Sequence, residues 1–296
     1  MPAFPIRVIL PLARALCKTP LGNAISDALI FHSLRPTFQK RLRSALNLVR
    51  IRERFRGGRY SWAWGHKLPF AYNAFVTAGP LGCRRCLRFE WRIADWDGTR
   101  RTMSAELFTG YFAPTDALYY SYRVFLPASC SDMAVPLILS QTHDMPDFHL
   151  GEVWRHPITD VCLQGGIIRY TYRASVTPVT PLTPDGKPIY TSEQTFSLGR
   201  AVFDAWNYLS VREHLSPCSK NGNIRVQLND VVVARDGIHI GYNDDLGPFW
   251  KFGPYLPVME RAPDQVVLFY DRITVGFDKR IPRVFRLQTP LEIQRS

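Results

Sequence analysis

The chain has 296 residues, 46% of them apolar and 13% aromatic, as expected of a folded protein with a sizeable core. Its 23 prolines argue against a mostly helical protein, and without a run of eighteen apolar residues no membrane-spanning helix is predicted. Most of the net charge of +12 lies in residues 1–60, whereas the remainder holds 25 basic and 23 acidic side chains and lacks the positive field of a nucleic-acid-binding domain.

Residues 1–57 are predicted to form a basic, helical arm that precedes a domain spanning residues 58–296. The segment LRPTFQKRLRSALNLVRIRERF spaces its apolar side chains at helical intervals, and Gly57-Gly58 ends this pattern. The stretch FPIRVILPLARALC is interrupted by arginine and proline, which makes a poor signal-peptide core. The arm fits a targeting segment, a surface-binding helix or a misplaced start codon equally well.

From about Tyr60 the sequence predicts short β-strands. In LRFEWRI apolar and charged residues alternate, which is typical of a strand with one buried face. The same style predicts further strands at 117–127, 165–175, 223–234 and 265–277, with a hairpin turn at Asn229-Asp230. Many short strands and very few helical segments predict an all-β fold, either a β-sandwich or a jelly roll.

The segment VTPVTPLTPDGKP, residues 176–188, repeats Thr-Pro three times. Proline lacks the N–H that a sheet needs, so this segment is predicted to be an extended loop, either a lid or a solvated connection.

The sequence predicts neither a metal centre nor a cofactor. Cys83-x-x-Cys86 lacks a second pair at zinc-ribbon spacing, so its thiols are expected to be free or disulfide-linked. Asp144, Asp147 and His149 lie close in sequence but match no strong ligand motif. A structural calcium ion away from any catalytic groups stays an open alternative.

Two short motifs place polar side chains on single strand faces. In SQTHDMPD, Gln141 and His143 are two residues apart and therefore point the same way. In FWKFGPY, Lys251 and Tyr255 share a face, and Gly253 between them is expected to leave room for another molecule to approach. Either motif alone is more often a hydrogen-bonded strand end or an ordinary sheet face.

Taken in order, the segments LRFEWR, SAEL, YYSYRVFLP, SQTHDMPD, GNIRVQLND, FWKFGPY and YDRITVG resemble the jelly-roll polysaccharide lyases. The resemblance is to the heparin-lyase-I and glucuronan-lyase group, and more distantly to alginate lyases. It implies a concanavalin A-like β-jelly-roll that cleaves an acidic, uronic-acid-containing polysaccharide by β-elimination. A base removes the proton at C5 and an acid assists the O4 leaving group. The resemblance also implies a secreted or periplasmic protein, expected to be a monomer.

The same resemblance assigns roles to the two motifs. Gln141 donates its amide to the substrate carboxylate, and His143 assists or acts as the base. Tyr255 serves as acid and also as a candidate base, while Lys251 lowers its pKa and helps to hold the acidic sugar. Further contacts with the substrate are expected from Arg88, Arg92, Arg101, Glu106 and Trp250.

The sequence departs from the family pattern at two places. Leu256-Pro257 follow the tyrosine where relatives often carry an arginine or a polar residue, and the second departure concerns an arginine. Relatives show Arg-Ser-Glu-Leu, whose arginine holds the carboxylate, whereas this chain has SAEL, with Ser104 in place of that arginine. The candidates to replace it are Arg88, Arg92, Arg100 and Arg101, none of which stands at the matching position.

Three other functions are weaker alternatives. A glycosidase needs two closely spaced carboxylates, and the run Glu-x-Asp-x-x-Glu that would supply them from one strand does not occur. A non-catalytic carbohydrate-binding jelly roll would use aromatic faces such as Trp154, Tyr170, Tyr172 and Trp250, but would not need both polar motifs. Nucleic-acid binding by the basic arm is a third option.

Overall fold

A computed structural model describes residues 50–55, 58–60, 64–99, 102–110, 117–244 and 247–277. These residues form a sandwich of two β-sheets, joined by loops and short 3-10 turns, and contain no α-helix. The predicted all-β sandwich is therefore confirmed, while its finer description as a jelly roll stays a prediction. Within the same ranges no helix is long and apolar enough to cross a membrane.

The strands are, in chain order, β1 (Arg50–Glu53), β2 (Gly65–Lys67), β3 (Ala74–Thr77), β4 (Cys86–Arg92), β5 (Met103–Ser104), β6 (Glu106–Phe108), β7 (Ala117–Leu126), β8 (Leu137–His143), β9 (Thr159–Gln164), β10 (Ile167–Ser175), β11 (Ser192–Arg200), β12 (Ala205–His214), β13 (Gly222–Leu228), β14 (Val231–Ile238), β15 (Gly241–Tyr242), β16 (Phe249–Leu256) and β17 (Gln265–Phe277). Sheet I has the order β14-β13-β12-β7-β17-β4-β3, with β1 paired to β17. Sheet II has the order β11-β10-β9-β8-β16-β6-β2, with β15 beside β10 and β5 beside β16.

The strands predicted from alternation are present as β4, β7, β10, β13, β14 and β17. The hairpin turn at Asn229-Asp230 joins β13 to β14, and Asn229 has a φ of 49°, a left-handed conformation that asparagine tolerates. The Thr-Pro segment is an irregular connection between β10 and β11, closed by an isolated bridge between Leu182 and Pro188.

At Arg50–Glu53 the structure has a strand in place of the predicted helix. This strand completes an edge of sheet I, with Ile51 opposite Val275 of β17 and buried in the core. Ile51 points inward and Arg52 outward, a pattern that fits a sheet edge as well as a helix face. The strand forms because the backbone of β17 offers hydrogen-bond partners at this edge. Residues 1–49 lie outside the described residues, and the division at residue 57 stays a prediction.

Aromatic side chains fill the space between the sheets. Trp250 of β16 stacks on Phe252 at 4.9 Å and on Tyr120 of sheet I at 4.8 Å, measured between ring centroids. Phe89 and Tyr270 meet edge to face at 5.4 Å. Each such pair stabilises the fold by about 0.5–1.5 kcal/mol beyond the burial of its area. The two sheets are thereby locked together, and sheet II becomes a rigid base for the groups on its outer face.

A buried carboxylate also bridges the two sheets. Glu213 of β12 accepts hydrogen bonds from Thr159 (2.7 Å) and Tyr170 (2.9 Å) of sheet II and from Tyr120 (3.2 Å) of sheet I. Burial raises the pKa of Glu213, and these donors only partly offset that shift. The cluster fixes β9 and β10 against sheet I.

Candidate active site

A cleft of about 890 Å³ lies on the outer face of sheet II, opposite the aromatic core. Strands β2, β6, β8, β9, β10 and β16 form its floor, and residues 154–157 contribute one wall. The two predicted motifs both line it, together with one residue of the predicted substrate-binding set: Gln141, His143, Lys251, Tyr255 and Glu106.

Strand register explains why the two motifs meet. β8 and β16 are antiparallel neighbours in which Lys251 is directly opposite Gln141, and Phe249 is directly opposite His143. Residues opposite each other project from the same face of a sheet. Tyr255 lies further along β16, opposite Ile138, on the cleft side. Gln141 and Lys251 therefore lie between His143 and Tyr255.

Glu106 holds the central pair in place. Gln141 donates its side-chain N–H to Glu106 over 2.6 Å, and the Lys251 ammonium is 3.6 Å from the other oxygen of the same carboxylate. Glu106 lines the cleft, but its two carboxylate oxygens already face Gln141 and Lys251, so we assign it to holding these two groups and not to contact with a polymer. Its bond to Gln141 orients the amide and leaves the second N–H for another acceptor.

Lys251 lies in a partly apolar setting. Its ammonium is 5.9 Å from the ring centroids of both Phe249 and Tyr255. Burial lowers the pKa of Lys251, the Glu106 carboxylate opposes that change, and the positive charge of Lys67 adds to it.

Tyr255 differs from its prediction. Burial raises the pKa of its hydroxyl, a hydrogen bond with the Thr102 side chain lowers it, and the charges of Glu106 and Asp160 raise it further. The direction of the pKa shift is opposite to the predicted lowering by Lys251, because burial of the phenol is the largest effect and the nearby carboxylates add to it. Tyr255 is therefore protonated at neutral pH and suited to donate a proton.

His143 is oriented by a backbone carbonyl and two rings. Its Nδ1 lies 2.9 Å from the Asp144 carbonyl oxygen, and since a carbonyl only accepts, this bond requires a proton on Nδ1. The imidazole stacks on Phe249 at 5.7 Å and meets the edge of Trp154 at 5.5 Å. A neutral imidazole held in this tautomer can accept a proton through Nε2.

The space above Gly253 is filled by the chain itself, although the sequence predicted that another molecule would approach there. A Cβ atom at Gly253 would lie 2.2 Å from the Ala105 carbonyl oxygen, and φ is +121°. The Ala105 N–H also donates to the Pro254 carbonyl over 2.9 Å. Glycine thus allows the short link between β5 and β6 to pack directly on β16, next to Tyr255.

Three other predicted contacts do not lie in the cleft. Arg88 and Arg92 are on β4 of sheet I, where both pair with Glu90. Trp250 has no exposed surface because its ring points between the sheets. A contact between Trp250 and a polysaccharide would require the core to open, so we omit these three residues from the site. Arg100 and Arg101 lie outside the described residues.

Ser104 occupies the position of the expected arginine and faces the site. It is directly opposite Tyr255 across the pairing of β5 and β16, and it is 2% exposed. Within the part of the chain that the structure describes, its hydroxyl has no hydrogen-bond partner.

The cleft also contains residues that the sequence analysis missed. Asp160 of β9 is opposite Gln141, and Arg173 of β10 pairs with Asp160 at 2.8 Å. Alternation in GGIIRYTYRAS places Arg169 and Arg173 on the face opposite Tyr170, so this pattern could have identified them. Burial raises the pKa of Asp160, and Arg173 opposes that shift.

Arg155 was also missed, and no local pattern marks it. Its side chain is 1% exposed and contacts three carboxylates, those of Asp144 (3.3 Å), Glu152 and Asp244. These partners come from separate loops, and their ion pairs with Arg155 hold the loops together next to His143. Across the described ranges, no group of three or more His, Cys, Asp or Glu side chains could hold a metal ion.

Comparison with known proteins gives one family and several similar folds. Residues 77–274 match the family model described as "Polysaccharide lyase". An endo-β-1,4-glucuronan lyase from the fungus Trichoderma reesei aligns with a TM-score of 0.58 and 11% identity, over 77% of this chain and 94% of that one. A family 7 alginate lyase, A1-II′, aligns with a TM-score of 0.49 and 12% identity, over 73% and 95%. No curated protein sequence matches the chain at a significant level.

Proposed function

The chain belongs to the polysaccharide lyase family, and from this premise we propose that it cleaves a uronic-acid polymer by β-elimination. One observation carries the proposal: an amide, an ammonium, an imidazole and a phenol meet on one face of sheet II, in a cleft open to a long ligand. These are the groups that the reaction needs, and they come from strands far apart in sequence.

The first requirement is to make the C5 proton acidic. The carboxylate beside C5 must lose much of its negative charge before C5 gives up a proton, because the intermediate places further charge on that group. We propose that the carboxylate accepts the second N–H of Gln141 and lies beside the Lys251 ammonium. Glu106 supports this role, since it holds both donors from behind.

The second requirement is a base. We assign this role to His143, because a neutral ring with its proton on Nδ1 accepts through Nε2, and because the ring is fixed by Phe249 and the Asp144 carbonyl. The proton leaves C5 for Nε2, and the electron pair of the C5–H bond forms the double bond between C4 and C5. The C4–O4 bond breaks, and its electron pair leaves with O4.

The third requirement is an acid for the departing O4. Tyr255 is protonated at neutral pH because burial raises its pKa. We propose that it donates this proton to O4, so that the leaving sugar departs as an alcohol. Before the next cycle the His143 imidazolium releases the C5 proton to solvent and the Tyr255 phenolate takes up a proton from solvent.

A glucuronic-acid polymer is our first candidate substrate. The sandwich aligns over most of its length with the endo-β-1,4-glucuronan lyase of Trichoderma reesei, at a TM-score of 0.58. An alignment at 11% identity supports a shared fold alone, so the choice of a glucuronic-acid polymer is part of our proposal.

The test is incubation with glucuronan, alginate and heparin while near-ultraviolet absorbance is recorded, because the C4=C5 product absorbs there. We expect a steady rise with at least one polymer, and a loss of about 100-fold or more in Tyr255→Phe and in His143→Ala. Tyr208→Phe is a matched control, since Tyr208 lies on β12 of sheet I away from the cleft. Binding without any absorbance would refute the lyase assignment and favour a carbohydrate-binding domain.

A further inference from the structure

Most of the positive charge in the cleft is already neutralised. Among the described residues, five Lys and Arg side chains line it, and three of these are paired with carboxylates. Lys251 is 3.6 Å from Glu106, and Arg173 is 2.8 Å from Asp160. Arg155 contacts three acidic side chains and is almost fully buried. The centre of the cleft therefore offers hydrogen bonds but little net charge to a polyanion.

The two remaining cations lie on opposite sides of the site. Lys67 is on β2 and Arg169 is on β10, and neither has a carboxylate partner within the described ranges. Arg169 hydrogen-bonds to Gln164 at 3.2 Å, whereas no contact of the Lys67 ammonium is found there. Lys67 is thus the cationic group most available to a ligand.

Strand register places Lys67 on the cleft face. It is directly opposite Glu106 in the pairing of β2 with β6, and Glu106 projects into the site to reach Gln141. Two strand spacings separate β2 from β16, which is about 10 Å. Lys67 is close enough for its charge to lower the pKa of Lys251. It therefore lies beside the proposed reaction centre and not within it.

A second cleft adjoins the main one at Lys67. This space of about 440 Å³ shares His66, Lys67 and Thr102 with the main cleft, so the two spaces adjoin at these residues. Its lining includes Ser104, whose buried hydroxyl lacks a partner in the described part of the chain. Phe70, 42% exposed, borders the same space. Asp95 and Asp97 also line this space, where Asp95 accepts a hydrogen bond from Tyr72 and Asp97 accepts one from Thr99. Among the described residues that line it, Lys67 is therefore the one Lys or Arg side chain that can bind a carboxylate.

We propose that Lys67 binds the carboxylate of a second uronic acid, adjacent to the sugar that is cleaved, and that the second cleft continues the polymer-binding groove. This inference rests on the proposed function. It narrows the substrate class to polymers in which uronic acids are neighbours, and it disfavours polymers in which they alternate with neutral sugars.

The test measures binding of short oligoglucuronates by calorimetry, in a Tyr255→Phe background that keeps the ligand intact. Lys67→Ala should weaken the affinity about fivefold to tenfold, the range for one partly exposed charge-assisted contact. Lys67→Arg should retain most of the affinity. Lys220→Ala is the matched control, because Lys220 is also exposed but lines neither cleft.

A carboxyl-reduced, neutral oligosaccharide of the same length identifies the partner of Lys67. The wild type and Lys67→Ala should bind this neutral oligosaccharide with the same affinity. Equal loss for the acidic and neutral ligands, or no loss for the acidic one, would overturn the inference. If the wild type yields unsaturated product and Lys67→Ala leaves its KM unchanged, the inference fails while the proposed function stands. If no acidic oligosaccharide binds the wild type, both fail.

Discussion

Replacing Gly253 with alanine tests the link between the fold and the site. The new Cβ would lie 2.2 Å from the Ala105 carbonyl oxygen and 3.0 Å from the Phe89 ring, so the backbone of the β5–β6 link must move. Overpacking of this kind costs about 1–3 kcal/mol, and a φ of +121° costs an L-residue a further ~1–3 kcal/mol. We expect Gly253→Ala to lower the free energy of unfolding by about 3–5 kcal/mol. We also expect it to reduce kcat, because Tyr255 is two residues away.

Urea unfolding followed by tryptophan fluorescence measures this loss. Gly186→Ala is the control, since Gly186 has a φ of +79° with nothing within 4 Å of an added Cβ. It should lose only about 1–2 kcal/mol, the cost of the left-handed conformation alone. If the two variants lose the same stability, the close approach of Ala105 is not what requires glycine, and our account of this position is incorrect.

Two further predictions concern charge. Activity should fall at alkaline pH as Lys251 loses its proton. Because Glu106 raises the pKa of Lys251, Glu106→Gln should move this fall to lower pH. A pH–rate profile that does not move would exclude Lys251 as the cause of the fall. Glu213→Ala should destabilise the fold by about 3 kcal/mol or more, since three buried hydroxyl groups lose their acceptor. Because the folded-state pKa of Glu213 lies above its usual 4.5, the stabilising effect of protonation is complete below pH 4.5 and is lost as pH rises through the folded-state value. Glu213→Gln should abolish this pH-dependent loss in urea unfolding experiments, and its persistence would assign the loss to another group.

The sequence predicts much of this fold because alternation carries information within one strand. The alternating apolar residues of β4 and β17 mark strands with one buried face, and both are present. The same reasoning placed Gln141 beside His143 and Lys251 beside Tyr255. That β8 and β16 are neighbours depends on pairing between segments about 100 residues apart, for which only the family resemblance gave a signal.

What the sequence did not predict depends on contacts between distant segments. The raised pKa of Tyr255 comes from burial, and the need for Gly253 comes from Ala105, which is about 150 residues earlier in the chain. Lys67 belongs to the three-residue strand GHK, which is too short to show alternation. Trp250 looked like a sugar-binding ring because aromatic residues of the core and of a binding face have the same composition.

Mass spectrometry of the products from a defined oligoglucuronate tests the central claim most directly. Elimination adds no atoms, so the masses of the two fragments should sum to that of the parent, with the unsaturation on the fragment that carried C4 and C5. Hydrolysis adds one water to the sum. We predict fragments that sum to the parent mass in the wild type, and at least about 100-fold less of them in Tyr255→Phe. Fragments heavier by one water would contradict β-elimination in this cleft.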